Sequence, residues 1–269
     1  MERDDKRAIG LFDSGVGGLT VAHAIRQLMP SESLIYFGDT AHLPYGDKSA
    51  ESIISYSRRI TSFLIDKGAK MVLIACNSAS ASAFPLLKEE FGDTIFLMDV
   101  IEPVVDYVAA GKYSKVGVIG TNRTITSGTY EKRFSEKSPS TKVVSMATPL
   151  FVPMIEEGFI FDDVSNAILR AYLSGPQFDT IEAMVLGCTH YPIIRQQIAR
   201  IFNFNLEVID SARIVALALK RELEERGLAN RNGNPDDIFY VSDYTPYFSR
   251  IARMFFESDI NLEKAAIWS

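Results

Sequence analysis

Residues 184–192 read MVLGCTHYP, an apolar run that ends in a glycine and a cysteine. The cysteine stands where a buried strand would give way to the start of a helix. The only other cysteine of the chain has the same setting, in residues 71–80, MVLIACNSAS. One cysteine in such a place would be explained as a small buried hydrophobic residue. The matched pair, Cys76 and Cys188, instead indicates two thiols with a shared function.

The sequence around these cysteines alternates two kinds of segment. Short apolar runs such as AIGLF, LIYFGDT and KVGVIGT alternate with longer runs such as LTVAHAIRQLM, which repeat apolar residues at helical spacing. This alternation predicts an α/β fold with mostly parallel sheets, whose strands are apolar throughout because helices cover both faces. The repeated strand–cysteine–helix unit predicts two related α/β domains that face each other across a central cleft.

Composition and charge narrow the class of protein. The 269 residues are 47% hydrophobic and 23% charged, which suits one or two globular domains with a substantial core. A net charge of -6 argues against a general nucleic-acid binder. The first residues, MERDDKRAIG, lack the apolar segment of a signal peptide, and the apolar runs are too short to cross a membrane. We therefore expect a cytoplasmic protein with free thiols and no membrane association.

Polar residues concentrate at the predicted carboxyl ends of the strands, where open α/β sheets bind their ligands. Each of them alone would fit an ordinary turn or helix cap. The whole set, together with both cysteines, predicts one cleft lined from two sides. Its members are Asp13, Ser14, Asp39, Thr40, Cys76, Asn77, Ser78, Thr121, Cys188, Thr189, His190, Asp210 and Ser211.

The surroundings of the thiols suggest how they are activated. A helix start lowers the pKa of a nearby thiol, and both cysteines precede predicted helices, the second with Pro192 in its first turn. His190 lies two residues from Cys188, well placed to polarise it. The glycine-rich turn DSGVGG, residues 13–18, would suit a carboxylate ligand. No histidine-rich ligand spacing is present, so we expect no metal.

Two thiols on opposite sides of a small ligand suit one reaction in particular. A thiolate can remove a proton from one face of a carbon acid while a thiol returns a proton to the other face, and this inverts the stereocentre without a cofactor. The residues leave a second explanation open, a two-domain module that binds an acidic metabolite and has inert cysteines. A pyridoxal-phosphate enzyme is disfavoured, because the lysines flank strands in polar surroundings rather than forming a Schiff-base site.

The motifs resemble those of the glutamate racemases, a cofactor-independent family that supplies D-glutamate for bacterial peptidoglycan. The resemblance runs through LFDSGVGGLTV, YFGDTAHLPYGDKS, IACNSAS, GVIGT, PLFVPMIEEG, LGCTHYP and VIDSA, in the order of the family and over most of the chain. His190 stands where the related aspartate racemases typically carry Glu. A racemase of aspartate or of a similar acidic amino acid is the alternative within the superfamily.

The resemblance implies roles for individual residues. Cys76 would deprotonate D-glutamate with help from Asp13, and Cys188 would deprotonate L-glutamate with help from Glu156 and His190. Substrate contacts are implied for Asp13, Ser14, Tyr45, Gly46, Asn77, Ser78, Thr121, Thr189 and His190. Glutamate is the expected partner, no cofactor is implied, and a homodimer is left open. The implied domains are residues 1–97 with 208–269, and residues 98–207.

Three positions depart from the pattern of the family. Ser78 stands where Thr is common, but it keeps the hydroxyl group. His42 stands where Arg is usual, which would alter the rim of the cleft. Thr148 replaces a common cysteine before PLFVP, so Cys76 and Cys188 are the only two thiols that could act as bases.

Overall fold

The computed structural model describes residues 5–244, 246–256 and 262–268. Within these residues, strands alternate with helices along almost the whole chain. The strands are β1 (Ile9–Asp13), β2 (Leu34–Gly38), β3 (Met71–Ile74), β4 (Phe96–Asp99), β5 (Lys115–Gly120), β6 (Lys142–Ala147), β7 (Ala183–Gly187), β8 (Glu207–Ile209), β9 (Ile238–Val241) and β10 (Leu262–Lys264). The α-helices are α1 (Leu19–Leu28), α2 (Ala50–Asp66), α3 (Asn77–Phe91), α4 (Glu102–Gly111), α5 (Asn122–Thr126), α6 (Thr129–Lys137), α7 (Phe151–Glu156), α8 (Asp163–Leu173), α9 (Arg195–Ile201), α10 (Ser211–Glu225) and α11 (Pro246–Phe256). Short 3-10 helices span Thr40–His42, Tyr45–Asp47, Pro176–Phe178 and Tyr191–Ile194.

The described strands form two parallel sheets. Six strands make the first sheet, in the order β10-β9-β2-β1-β3-β4, and four make the second, in the order β6-β5-β7-β8. Because neighbouring strands run in the same direction, their carboxyl ends lie along one edge of each sheet. The predicted α/β class with mostly parallel sheets is confirmed.

Two local predictions differ from the structure. Strand β10 was not predicted, because its sequence LEK contains only one apolar side chain, yet it pairs in parallel with β9. The helix after Cys188 does not start as an α-helix at Pro192. A 3-10 helix, Tyr191–Ile194, comes first, and α9 begins only at Arg195.

The hydrophobic core is continuous across the two sheets. One cluster of buried side chains includes Leu11 of β1, Val118 of β5 and Leu219 of α10. Two further clusters cover the opposite faces of the first and second sheets. The core therefore fixes the two sheets against each other from behind. None of the helices within the described ranges is both long and apolar enough to cross a membrane.

A buried ion pair ties the amino ends of the strands together, at the edge away from the cysteines. Lys70 directly precedes β3, and its ammonium donates to the Glu32 carboxylate at 2.5 Å and to the carbonyl oxygens of Asp5 and Leu228 at 2.9 and 2.7 Å. The Glu32 carboxylate also accepts from the amide of Asn230 at 2.8 Å. Both charged side chains are almost completely buried.

We expect Lys70→Met to destabilise the fold without changing the chemistry of the site. The substitution leaves the Glu32 carboxylate buried without a counter-ion, which costs about 3–5 kcal/mol of unfolding free energy. Urea denaturation measures this cost. The control is Arg58→Met, which removes an exposed pair with Glu90 and should cost less than about 1 kcal/mol. Equal losses of unfolding free energy in the two variants would contradict the stabilising role of the buried Lys70–Glu32 pair.

Candidate active site

Both cysteines lie at carboxyl strand ends and line one cavity between the sheets. Cys76 follows β3 of the first sheet, and Cys188 follows β7 of the second. The cavity has a volume of about 20 Å³, room for roughly one water molecule. Two larger hollows, of about 670 and 730 Å³, lie elsewhere and contain neither thiol. The convergence of polar groups, rather than size, marks the site.

Most of the predicted site residues surround this cavity. Its lining is Ser14, Leu43, Pro44, Tyr45, Gly46, Cys76, Asn77, Ser78, Thr121, Val152, Cys188, Thr189 and His190. Asp13 and Glu156 do not line it but lie behind the lining. Four residues predicted to line the same cleft are also absent from the lining, namely Asp39, Thr40, Asp210 and Ser211. Leu43, Pro44 and Val152 line the cavity but were not predicted. The first two adjoin Tyr45 in a motif already selected, whereas nothing in the sequence shows that Val152 points inward.

Cys188, His190 and Glu156 form a chain of polar contacts. The Cys188 sulfur lies 3.8 Å from Nδ1 of His190, and Nε2 of the same ring lies 3.0 Å from the Glu156 carboxylate. The thiol and the imidazole are buried, and Glu156 at the end of α7 is partly exposed. Only a doubly protonated ring can donate to both partners at once.

The charges of these groups favour an imidazolium on His190. Burial lowers the pKa of His190, but its hydrogen bonds with Cys188 and Glu156 outweigh burial and raise that pKa to about 10. At neutral pH the ring is therefore cationic, and its Nδ1–H faces the Cys188 sulfur.

Cys76 has the opposite electrostatic setting. Burial, followed by the negative charge of Asp13, raises the pKa of the Cys76 thiol well above its ordinary value. Cys76 is the N-cap residue of α3, and hydrogen bonds from the amides of Ala79 and Ser14 act in the other direction without prevailing. The helix start therefore acts on Cys76 in the predicted direction but does not prevail, so the net pKa of this thiol is raised rather than lowered and Cys76 remains a protonated thiol.

Asp13 connects the two sides of the cavity from behind. Its carboxylate accepts from the amide of Gly15 at 2.9 Å and from the hydroxyl of Thr189, in the loop of the other sheet, at 3.2 Å. Ser14 places its hydroxyl 3.9 Å from the Cys76 sulfur. Asp13 thus acts on Cys76 through its charge.

Four other predicted substrate contacts form hydrogen bonds with protein groups. Ser78 Oγ lies 2.9 Å from Thr121 Oγ1 across the cleft, and Asn77 accepts from the hydroxyl of Tyr130 at 2.8 Å. The Tyr45 hydroxyl donates to Asp39 at 2.7 Å. All four side chains are therefore held in place by protein partners.

Glycine at position 17 allows the two loops to pack at this distance. A Cβ atom on Gly17 would lie 2.3 Å from Thr189 Oγ1 and 2.4 Å from His190 Nδ1. Next to it, the hydroxyl of Thr20 donates to the carbonyl oxygen of Thr189 at 3.0 Å. The glycine-rich turn therefore holds the loop that carries Cys188.

The fold and this site are those of a racemase, an isomerase of amino acids. Residues 19–219 match the family model Asp/Glu/Hydantoin racemase. The chain belongs to this family, as the resemblance of its motifs predicted.

Several proteins that the chain resembles in sequence and structure are glutamate racemases. That of Geobacter metallireducens is 42% identical over 259 residues, which cover 93% of this chain and 92% of the relative. The structure of glutamate racemase from Francisella tularensis in complex with D-glutamate has a TM-score of 0.92 and 38% identity, covering 98% of this chain and 99% of that one. The Thermus thermophilus enzyme, solved with β-chloro-D-alanine, has a TM-score of 0.87 and 36% identity, with 98% of both chains covered.

We expect Gly17→Ala to lower kcat/KM by at least about tenfold, because the added methyl group displaces the Cys188 loop. Steady-state kinetics with glutamate, followed by circular dichroism, measures the loss. Gly175→Ala is the control, since its Cβ would meet only the flexible end of Gln177. Full activity of Gly17→Ala in a folded protein would contradict the packing described here.

Proposed function

We propose that the protein interconverts L-glutamate and D-glutamate by proton transfer between two cysteines, with no cofactor. The observation that carries this proposal is the shared cavity, which receives one thiol from each sheet. The choice of glutamate as the substrate rests on the glutamate racemases among its relatives, one of them solved with D-glutamate.

The charges around the thiols prepare the site for L-glutamate. Cys188, next to the His190 cation, serves as the thiolate base, and Cys76 serves as the thiol acid. The thiolate of Cys188 takes the α-proton of L-glutamate, and the electron pair stays on the α-carbon. The thiol of Cys76 then delivers its own proton to the opposite face. The product is D-glutamate, with Cys188 now a thiol and Cys76 a thiolate, ready for the reverse reaction.

Residues around the thiols would assist each step and hold the substrate. Asp13 would assist Cys76, and Glu156 with His190 would assist Cys188. The substrate contacts of the proposal are Ser14, Tyr45, Gly46, Asn77, Ser78, Thr121, Thr189 and His190, whereas Asp13, which the resemblance also implied, lies behind the lining. The phenol oxygen of Tyr45 is already bonded to Asp39.

The cavity must widen for substrate to enter. A space of about 20 Å³ is far smaller than glutamate, so the loops of the two sheets separate during binding and close around the bound molecule. Closure excludes water, which strengthens the electrostatic interactions within the site.

The wider context of the proposal comes from the resemblance. D-glutamate made by this reaction would supply peptidoglycan synthesis in the cytoplasm.

We also propose that the chain has two domains, residues 1–97 with 208–269, and residues 98–207. Strands β1 to β3, β9 and β10 lie in the first of these domains and β5 to β7 in the second. Each proposed boundary falls within a strand, since β4 (Phe96–Asp99) of the first sheet crosses one boundary and β8 (Glu207–Ile209) of the second sheet crosses the other.

Either cysteine substitution should abolish racemisation. We expect Cys76→Ser and Cys188→Ser each to lower kcat by about 10²–10⁴-fold in both directions, because every turnover needs an acid and a base. Circular dichroism of L- and D-glutamate solutions measures the rates. Ser82→Ala is the matched control in α3, since the Ser82 hydroxyl is buried without a partner in the described chain and lies outside the cavity. Near-normal rates in a single cysteine variant would refute the two-base proposal. Activity on aspartate alone would keep the mechanism and change the substrate.

The His190 cation should give the L-to-D direction a high-pH limit. Because the folded-state pKa of His190 is raised to about 10, the cation persists at neutral pH and is lost as the pH rises through that value. We expect kcat/KM for L-glutamate to fall over the same range. In Glu156→Gln the fall should begin lower by about one pH unit, since one of the groups that hold the cation is gone. Exposed Glu157 provides the control, Glu157→Gln. Coincident pH profiles would contradict the role of Glu156.

A further inference from the structure

The loop from Asp39 to Asp47 forms one wall of the cavity. Leu43, Pro44, Tyr45 and Gly46 all line it. The loop contains two short 3-10 helices, Thr40–His42 and Tyr45–Asp47, separated by Leu43 and Pro44. Its position determines how closely the wall approaches a bound molecule.

A buried carboxylate braces the loop from inside. Asp39 is completely buried, and both of its oxygens lie 2.9 Å from Nδ1 of His42. One of them also accepts from the Tyr45 hydroxyl at 2.7 Å. Asp39 thus joins the two short helices of the loop through His42 on one side and Tyr45 on the other.

The outer face of His42 is covered by two aromatic rings. Its imidazole is stacked on the ring of Tyr56 in α2, at a centroid distance of 4.1 Å and an angle of 22°. Trp268 meets it edge-on at 4.6 Å and 83°, and also contacts Tyr56 at 5.4 Å. The guanidinium of Arg59 lies 5.7 Å from the centre of the Trp268 ring.

The segment that carries Trp268 is fixed to the first sheet. Residues 265–268 follow β10, and the amide of Ala265 donates to the carbonyl oxygen of Val241 at 2.9 Å. The indole Nε1 of Trp268 is buried and meets no acceptor among the described residues. Ring packing, rather than a hydrogen bond, therefore holds Trp268 against His42.

We propose that His42 is a positioning residue for substrate binding, and that Trp268 holds His42 in place from outside the site. The inference rests on the proposed function and adds to it two side chains that do not line the cavity. With the packing intact, Asp39 and Tyr45 hold the wall of Leu43 to Gly46 against the substrate. Without it, the hydrogen bonds of Thr40 and Ala41 with Asp243 and Ser242 still anchor the start of the loop, but the wall of Leu43 to Gly46 moves more easily and the enzyme closes less readily on glutamate.

The expected signature is a change in KM that exceeds the change in kcat. The thiols and their charged neighbours are carried by other loops, so the chemical step in the closed complex is preserved. Trp268→Ala and His42→Ala should each raise the KM for glutamate by about tenfold, the fold-change that the loss of one good aromatic contact supports. Kinetics in both directions measures the change in KM and kcat.

Conservative variants separate positioning from general stability. Trp268→Phe keeps a ring, and His42→Asn keeps a donor for Asp39, so both should lie between wild type and the alanine variants. Glu263→Ala is the matched control, because Glu263 is an exposed residue of β10 in the same segment. It should leave KM unchanged. Thermal unfolding of every variant identifies any that fail to fold. If an alanine variant does not fold, the KM values of Trp268→Phe and His42→Asn test the proposal instead.

The chain contains one tryptophan, so its fluorescence reports on this contact alone. Adding L-glutamate to the wild-type protein should change the emission of Trp268 with a midpoint near KM, and His42→Ala should shift that midpoint upward. An unchanged KM in folded Trp268→Ala and His42→Ala, together with unchanged emission, would overturn the inference. A wild-type protein that binds but does not racemise glutamate would refute the proposed function alone, because the fluorescence midpoints still test the loop.

Discussion

The unequal charge around the two thiols is the constraint on which the account of this protein depends. His190 is held as a cation between Cys188 and Glu156, whereas Cys76 lies buried beside the carboxylate of Asp13. In the proposed reaction, Cys188 would accept a proton and Cys76 would donate one. Two equivalent thiols in the same cavity would give two acids or two bases. The difference arises from His190 in the lining of the cavity and from Asp13 and Glu156 behind it.

The residues of the proposed chemistry and the buried ion pair that stabilises the fold lie at opposite ends of the strands. The carboxyl ends of both parallel sheets supply the thiols and the loops around them. At the opposite end of the first sheet, the buried pair of Lys70 and Glu32 joins the amino ends of its strands. A continuous core holds the sheets together from behind. The closed cavity of about 20 Å³ shows how little the facing loops are separated. Contacts such as that between Ser78 and Thr121 must therefore open and re-form when substrate passes.

Periodicity and motif were sufficient to predict the fold class, the strands with apolar runs and the residues around the two cysteines. They could not predict the direction of the Tyr45 hydroxyl or the inward position of Val152, because both depend on how distant segments pack. The helix start acts on the pKa of Cys76 in the expected direction but does not prevail, for a physical reason: a helix start is a local feature, whereas burial and the charge of Asp13 come from the tertiary structure. For the same reason, the packing of Trp268 on His42 joins residues far apart in the chain and leaves no local pattern.

The central claim is that each thiol serves one face of the α-carbon, and isotope placement at early times tests it most directly. L-glutamate is incubated with the enzyme in deuterated water, and the two enantiomers are separated before a tenth of the substrate has reacted. The account predicts deuterium at the α-carbon of D-glutamate, delivered by Cys76, and almost none in the recovered L-glutamate, because the proton taken by Cys188 is the one it returns. Equal deuterium in both enantiomers would point to a single base that exchanges with solvent and would contradict the two-thiol mechanism.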